Sequence, residues 1–181
     1  IDYENVGLAE HQVPVHNARG HENQFRLETN GFQLLTHKTV VSDFRNDQEV
    51  RAIYYPEMEE LIRSVAGASR VHLFDHTLRT SDEDSPDAAW MRETVFHVHN
   101  DYTEWSAPQR VRDIFPDEAE ELLRHRFAVI QVWRGLRSPV EKEPLAMCDA
   151  RSIEAGDLMV MERRRPEGPQ STKRVGELYH L

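Results

Sequence analysis

The stretch FHVHNDYTEW, residues 96–105, decides how this chain is read. Apolar and polar residues alternate through its first half, which predicts a strand over Glu93 to Asp101. Side chains on a strand point to alternate faces, so His97, His99 and Asp101 share one face. Two imidazoles and one carboxylate on a common face form the donor set that iron(II) takes when positions must stay open. The carboxylate keeps the complex near neutral, and the open positions admit a cosubstrate and O2. A His-x-Asp pair at a strand end supplies two of the three ligands.

The pair alone is a weak signal. Ten histidines and twelve aspartates in 181 residues give roughly 0.7 His-x-Asp pairs by chance. A plain polar strand face therefore stands beside the metal reading. A second metal reading uses His97, His99 and Glu104, whose H-x-H-x4-E spacing is that of a cupin's first metal motif. The glycines that usually flank that motif are replaced here by Met91 and Val111.

Composition narrows the function classes. With 39% hydrophobic and 30% charged residues, the chain can bury one core under a polar surface. The net charge of −10 argues against a nucleic-acid partner, which needs a basic stripe to track phosphates. The one dense basic run, Arg163-Arg164-Arg165, is followed by Pro166, Gly168 and Pro169 and reads as a solvated loop. No apolar run approaches the ~18 residues of a membrane span. The opening IDYENVGLAEHQ carries neither the basic flank nor the apolar centre of a signal peptide. Cys148 is the sole cysteine. That excludes an internal disulfide and a cysteine-type zinc site, fits a reducing cytoplasm, and makes Cys148 a core residue rather than a nucleophile. Ile at position 1 and a strand-like GELYHL ending at Leu181 read as the edges of a C-terminally cut fragment.

Outward from residue 96, the clearest element is a helix over Asp47 to Ala66. Val50, Ile53, Tyr54, Met58, Leu61, Ile62 and Val65 recur at helical spacing, Gly67 stops it and Pro56 kinks or splits it. The first ~30 residues are polar, with a turn at His16 to Gly20. Strands are predicted over Phe32 to Val41, Arg70 to Arg79, Arg126 to Arg134 (buried on both faces), Leu145 to Asp149 and Asp157 to Glu162. Thr80 to Ala89 reads as an acidic loop. Pro108 to Arg126 reads as helical, with Pro116 in the first turn of a new helix. Asp75 and His76 either face the same cavity as the histidine strand or form a buried hydrogen bond. The order implies an α+β domain with an antiparallel sandwich or barrel core flanked by helices. No phosphate loop or G-x-S-x-G elbow is present.

Four strings then carry a resemblance: FDHTLR at 74–79, HNDYTEWSAPQRVRD at 99–113, RFAVIQVWR at 126–134 and PLAMCDARS at 144–152. In order, and over about Val13 to Tyr179, the chain resembles the gibberellin-desaturase-like and cephamycin-hydroxylase-like family. That family includes fungal secondary-metabolite hydroxylase/desaturases. The resemblance implies a non-haem iron(II), 2-oxoglutarate-dependent oxygenase on a double-stranded β-helix, or jelly-roll. It implies one domain over 1–181, with an extension over about 1–69 and the jelly-roll part over about 70–181. His99 and Asp101 match the family's metal-binding His-x-Asp, and His97 becomes an additional residue beside the ligands. The family often carries Asn where this chain has Gln131, and Pro where it has Gly135. Its distal histidine and the basic residue that anchors 2-oxoglutarate lie beyond the string matched by Gly176 to Tyr179, and His180 does not align with that histidine.

Arg79, Tyr102, Gln131, Trp133 and Arg134 sit on or beside the matched strings and are candidates for contact with a small-molecule substrate. Alternation places Gln131 and Trp133 on one face and Arg134 on the other, so only one set lines a cavity. A non-catalytic barrel or binding module is the remaining alternative class.

Overall fold

The computed structural model describes residues 12–81, 91–137, 139–168 and 171–180, with backbone alone over 163–168 and 171–177. Most of the predicted acidic loop, the first eleven residues and Leu181 lie outside the described residues.

The predicted helix forms as one continuous helical stretch over 47–66. Asn46 caps its start: the side-chain oxygen accepts from the N–H groups of Gln48 and Glu49 at 3.1 and 3.3 Å, satisfying donors that have no partner within the helix. The stretch opens as α2 (Asp47–Glu49), widens into a π turn at Val50–Tyr54, and closes as α3 (Tyr55–Ala66). Pro56 accounts for the widening. Its ring opposes the carbonyl four residues back and it brings no N–H. The Tyr55 N–H bonds to the Val50 carbonyl, five residues back. The helix thus passes the proline with a local bulge rather than a break. Gly67 ends it in the left-handed region at φ 62°, a conformation that disfavours other residues. Val50 and Met58, each 1% exposed, are its core positions.

The short α1 (Leu27–Asn30) is tied to a distant turn. Asn30, 2% exposed, donates to the Asp149 carboxylate at 3.0 Å and accepts from the Arg26 N–H at 2.9 Å. Gly31 follows at φ 80°, close enough to the turn that an added Cβ would sit 3.2 Å from the Ala150 Cβ.

The other expected helix is shorter and divided. α4 (Ser106–Ile114) and α5 (Ala119–Leu122) flank a turn that holds Pro116. The proline therefore sits ahead of α5 rather than in its first turn. Phe115 ends α4, its N–H donating to the Val111 carbonyl at 2.9 Å. The Arg70 guanidinium lies 4.6 Å from the centroid of its ring and pairs with Glu118 at 2.8 Å.

Among the described residues there is one three-stranded antiparallel sheet, in the order β1-β3-β2: β1 (His99–Asn100), β2 (Met159–Gly168) and β3 (Ser171–His180). The expected strand at 157–162 thus forms from Met159 and runs on to Gly168, and residues 176–180 of the strand-like ending lie in β3. The Arg163–Arg165 run is a correction. Its backbone lies within β2 and not in a loop, and Pro166 is accommodated at an edge-strand irregularity between Pro166 and Gly168, where no ladder hydrogen bond need be lost.

The remaining predicted strands make almost no ladders. Residues 32–41, 126–134 and 145–149 carry no assigned strand, 70–79 has only a bridge from Arg79 to Arg92, and the strand over 93–101 shrinks to β1. The reason is physical. A helix closes its hydrogen bonds locally, whereas a strand exists only against a partner. Strand propensity describes fit to a sheet, and the described residues supply partners to three strands only. The 126–134 stretch, expected to be buried on both faces, exposes Phe127, Val132 and Trp133, and Cys148 is exposed rather than in a core. No described helix is long and apolar enough to cross a membrane.

Candidate functional site

The site is built where β1 meets the end of β3. His99 pairs with His180 and Asn100 with Tyr179 across the ladder, while Met159 of β2 pairs with His180 from the other side. Directly opposed residues of an antiparallel pair present side chains on the same face. The His99 and His180 rings accordingly stack with centroids 5.9 Å apart and planes 27° apart, and the His97 ring lies 6.0 Å from His180. His180 is buried at 7% exposure. Burial first, and then the neighbouring His99 and His97, hold its pKa below the ordinary imidazole value, because each disfavours the charged form.

His99 and Asp101 meet, with β1 ending at Asn100 and Asp101 standing in the bend that follows. His99 Nε2 lies 3.5 Å from Asp101 Oδ1, with the two side chains 26% and 34% exposed. That distance is long for a hydrogen bond. Two cis ligands of an octahedral ion at about 2.1 Å would stand about 3 Å apart, so an ion fits between these atoms with a small adjustment. The outer atom of each side chain is engaged. His99 Nδ1 is 2.8 Å from the His97 carbonyl oxygen, which fixes the proton on Nδ1 and leaves the Nε2 lone pair free to bind. Asp101 Oδ2 accepts a hydrogen bond from the Gln131 amide.

Among the described residues no three His, Cys, Asp or Glu side chains are gathered closely enough to hold a metal ion. Two donors converge here, not three. The His97, His99 and Glu104 set is not assembled: Glu104 is exposed in the turn before α4, and the carboxylate beside His99 is that of Asp101.

The other candidate residues separate. Gln131 reaches Asp101, and Trp133, 52% exposed, alternates with it. Arg134 turns the opposite way. It donates to the Tyr54 hydroxyl at 3.1 Å and to the His37 carbonyl at 2.9 Å, and lies 3.0 Å from His37 Nδ1. Its guanidinium is committed to helix packing, so the Gln131 face is the one directed at the histidine strand. Arg79 donates to the Glu93 carbonyl at 2.7 Å, and the Tyr102 hydroxyl accepts from Arg110 at 3.2 Å. His76 belongs elsewhere. It meets the Tyr55 hydroxyl at 2.9 Å and Asp47 at 3.5 Å, and lines a surface cavity of about 360 Å³ that contains none of the candidate ligands. Gln131 as a partner of Asp101 was not foreseen from the sequence, because no local spacing links residues 30 apart.

Comparison with known proteins places this geometry in context. Oxidoreductase AN1597 of Emericella nidulans is 29% identical over 174 residues, covering 93% of this chain and 59% of that protein. Hydroxylase/desaturase CTB9 of Cercospora beticola is 35% identical, covering 81% of this chain and 48% of its own length. A solved structure of a variant of the iron and alpha-ketoglutarate-dependent endoperoxidase NvfI superposes with a TM-score of 0.81 at 28% identity, covering 94% of this chain and 61% of that one. The chain therefore spans between 48% and 61% of these relatives. The structural match bears out the α+β, jelly-roll expectation, and the hydroxylase/desaturase relative bears out the resemblance carried by the four strings. Residues 1–181 match throughout the family described as Oxidoreductase/YMDC permease-like domain, and the chain belongs to that family.

Proposed function

We propose that this chain carries two of the three protein ligands, His99 and Asp101, of a non-haem iron(II), 2-oxoglutarate-dependent hydroxylase or desaturase. The observation that carries the reading is the facing of His99 Nε2 and Asp101 Oδ1 at 3.5 Å while the outer atom of each is tied to a neighbour. Ligands oriented this way are typical of metal sites. The relatives' names support the same class: one is a hydroxylase/desaturase and another an iron- and alpha-ketoglutarate-dependent enzyme.

Bound iron(II), with 2-oxoglutarate and O2, supplies the oxidising power to remove hydrogen from a substrate carbon. The residues of this chain do the rest. His99 and Asp101 bind as neutral imidazole and carboxylate, so metal affinity falls in acid. Asp101 offsets one of the two positive charges. Trp133, on the Gln131 face, and Tyr102, next to Asp101 in sequence, are each proposed to contact a small, secondary-metabolite-like substrate. The third ligand and the anchor for 2-oxoglutarate are proposed to lie in the part of the relatives that this chain does not span. Residues 1–181 form one unit in this reading, an extension over about 1–69 and a jelly-roll part over about 70–181. It works in the cytoplasm without a nucleic-acid or membrane partner.

The test is an anaerobic titration of iron(II) with 2-oxoglutarate, following the visible band of an iron–keto-acid chelate. This chain extended to the full length of its relatives should develop the band, and His99→Ala and Asp101→Ala in that protein should each abolish it. A band that survives both substitutions would remove His99 and Asp101 from the site.

A further inference from the structure

We infer that Gln131 is a positioning residue for Asp101: its amide holds the outer carboxylate oxygen, so that Asp101 offers a single oxygen to a cation. This rests on the assignment of His99 and Asp101 as metal ligands. A carboxylate can bind a metal through one oxygen or through both. Which it does decides how many positions stay open for a cosubstrate and O2. Here the two oxygens differ. Oδ1 faces His99 Nε2 at 3.5 Å, and Oδ2 accepts from the Gln131 amide. Only the NH2 end of an amide can face an ionised carboxylate, so the direction of this bond is fixed by chemistry.

Gln131 is well placed for this task. It lies 30 residues from Asp101 on a stretch whose opposite face carries Arg134, locked to Tyr54 and His37. That lock sets which face of the 131–134 stretch turns towards the site. The backbone of Gln131 need not move to serve Asp101, and its exposed side chain adds little to folding. His99 is held in a parallel way through Nδ1 and the His97 carbonyl. Each ligand thus has one outer support, one from the backbone and one from a side chain. The side-chain support is the one that mutation can remove.

The experiment uses the whole chain and Mn(II) as the probe, with free ion measured by electron paramagnetic resonance and unfolding followed in urea. Gln131→Leu keeps the bulk and removes the donor. It should weaken Mn(II) binding by about 10- to 100-fold and leave the urea midpoint unchanged. Mn(II) affinity within about twofold of the parent would overturn the assignment, whether Gln131 then serves the substrate or nothing. A shifted midpoint with unchanged affinity would also overturn it, in favour of a structural role. The parent reading fails in a different way: His99→Ala and Asp101→Ala would then bind Mn(II) as the unaltered chain does.

Discussion

The helical side of the molecule and its strand side solve different problems. Residues 47–66 satisfy their own backbone, absorb a proline with one π turn, and seat Val50 and Met58 at 1% exposure. Around β1, by contrast, Val95, Phe96 and Val98 remain exposed, Phe96 at 76%. The side chains that are well held there are polar: His99, Asp101, Gln131 and the buried His180. One side is organised for stability and the other around donors aimed at a common point. Substitutions on the first should change folding and spare metal binding, and those on the second should do the reverse.

The largest effect expected on folding is at Met58. Its removal leaves a cavity in a packed core, and Met58→Ala should cost about 2–5 kcal/mol in urea unfolding. Val98→Ala, on the exposed side, should stay within about 0.5 kcal/mol. Equal losses at both positions would erase the contrast.

Arg134 is the next sharpening. It stands three residues from Gln131 but belongs to the other side, held by Tyr54 and His37 and stacked 5.5 Å over the Tyr54 ring. Arg134→Leu breaks hydrogen bonds of a charged donor and should cost about 2 kcal/mol, with Mn(II) affinity changed only in proportion to any unfolding. A selective loss of metal at constant stability would move Arg134 into the site. A smaller effect is expected at Tyr55, whose hydroxyl meets His76 Nδ1 at 2.9 Å. Tyr55→Phe should cost about 1 kcal/mol by the same urea measurement.

The same division explains what could be read from the sequence. The helix over 47–66, its Gly67 stop and the trouble at Pro56 were legible because helical bonds span four or five residues. The facing of His99 and Asp101 was legible because the two stand only two residues apart, although Asp101 sits in the bend just past β1 rather than on it. The choice between Gln131 and Arg134 was not, since it depends on Tyr54, His37 and Asp101, all remote in sequence. Strands at 32–41, 70–79 and 126–134 were over-read for the same cause: β-branched and aromatic residues report readiness to pair, not the presence of a partner. The Arg163–Arg165 run was misread in the opposite direction. Proline and glycine marked a loop where the edge of a sheet tolerates both.

The smallest expected effect tests the tie between α1 and the 149–152 turn, remote from both sides of the comparison. Hydrogen bonds from the Arg151 side chain, then from the Arg151 N–H and, less strongly, Asn30, hold the Asp149 carboxyl well below its usual 3.8. The folded chain therefore takes up this proton less readily than the unfolded chain. Its stabilisation is complete above about pH 3.8 and is lost as pH falls through the lowered folded value. Other depressed carboxylates, such as Glu118 beside Arg70, share the acid side of the profile, so the difference between two proteins is the measurement. Asp149→Asn should flatten part of the acid slope of stability against pH. Because this carboxylate reaches solvent, the flattening should shrink in 1 M salt, where charges are screened within about 3 Å. What persists in salt is the share owed to short hydrogen bonds from Arg151 and Asn30. A profile identical in slope to the parent at both salt levels would mean that the tie holds α1 through Asn30 and Arg26 alone, without the charge.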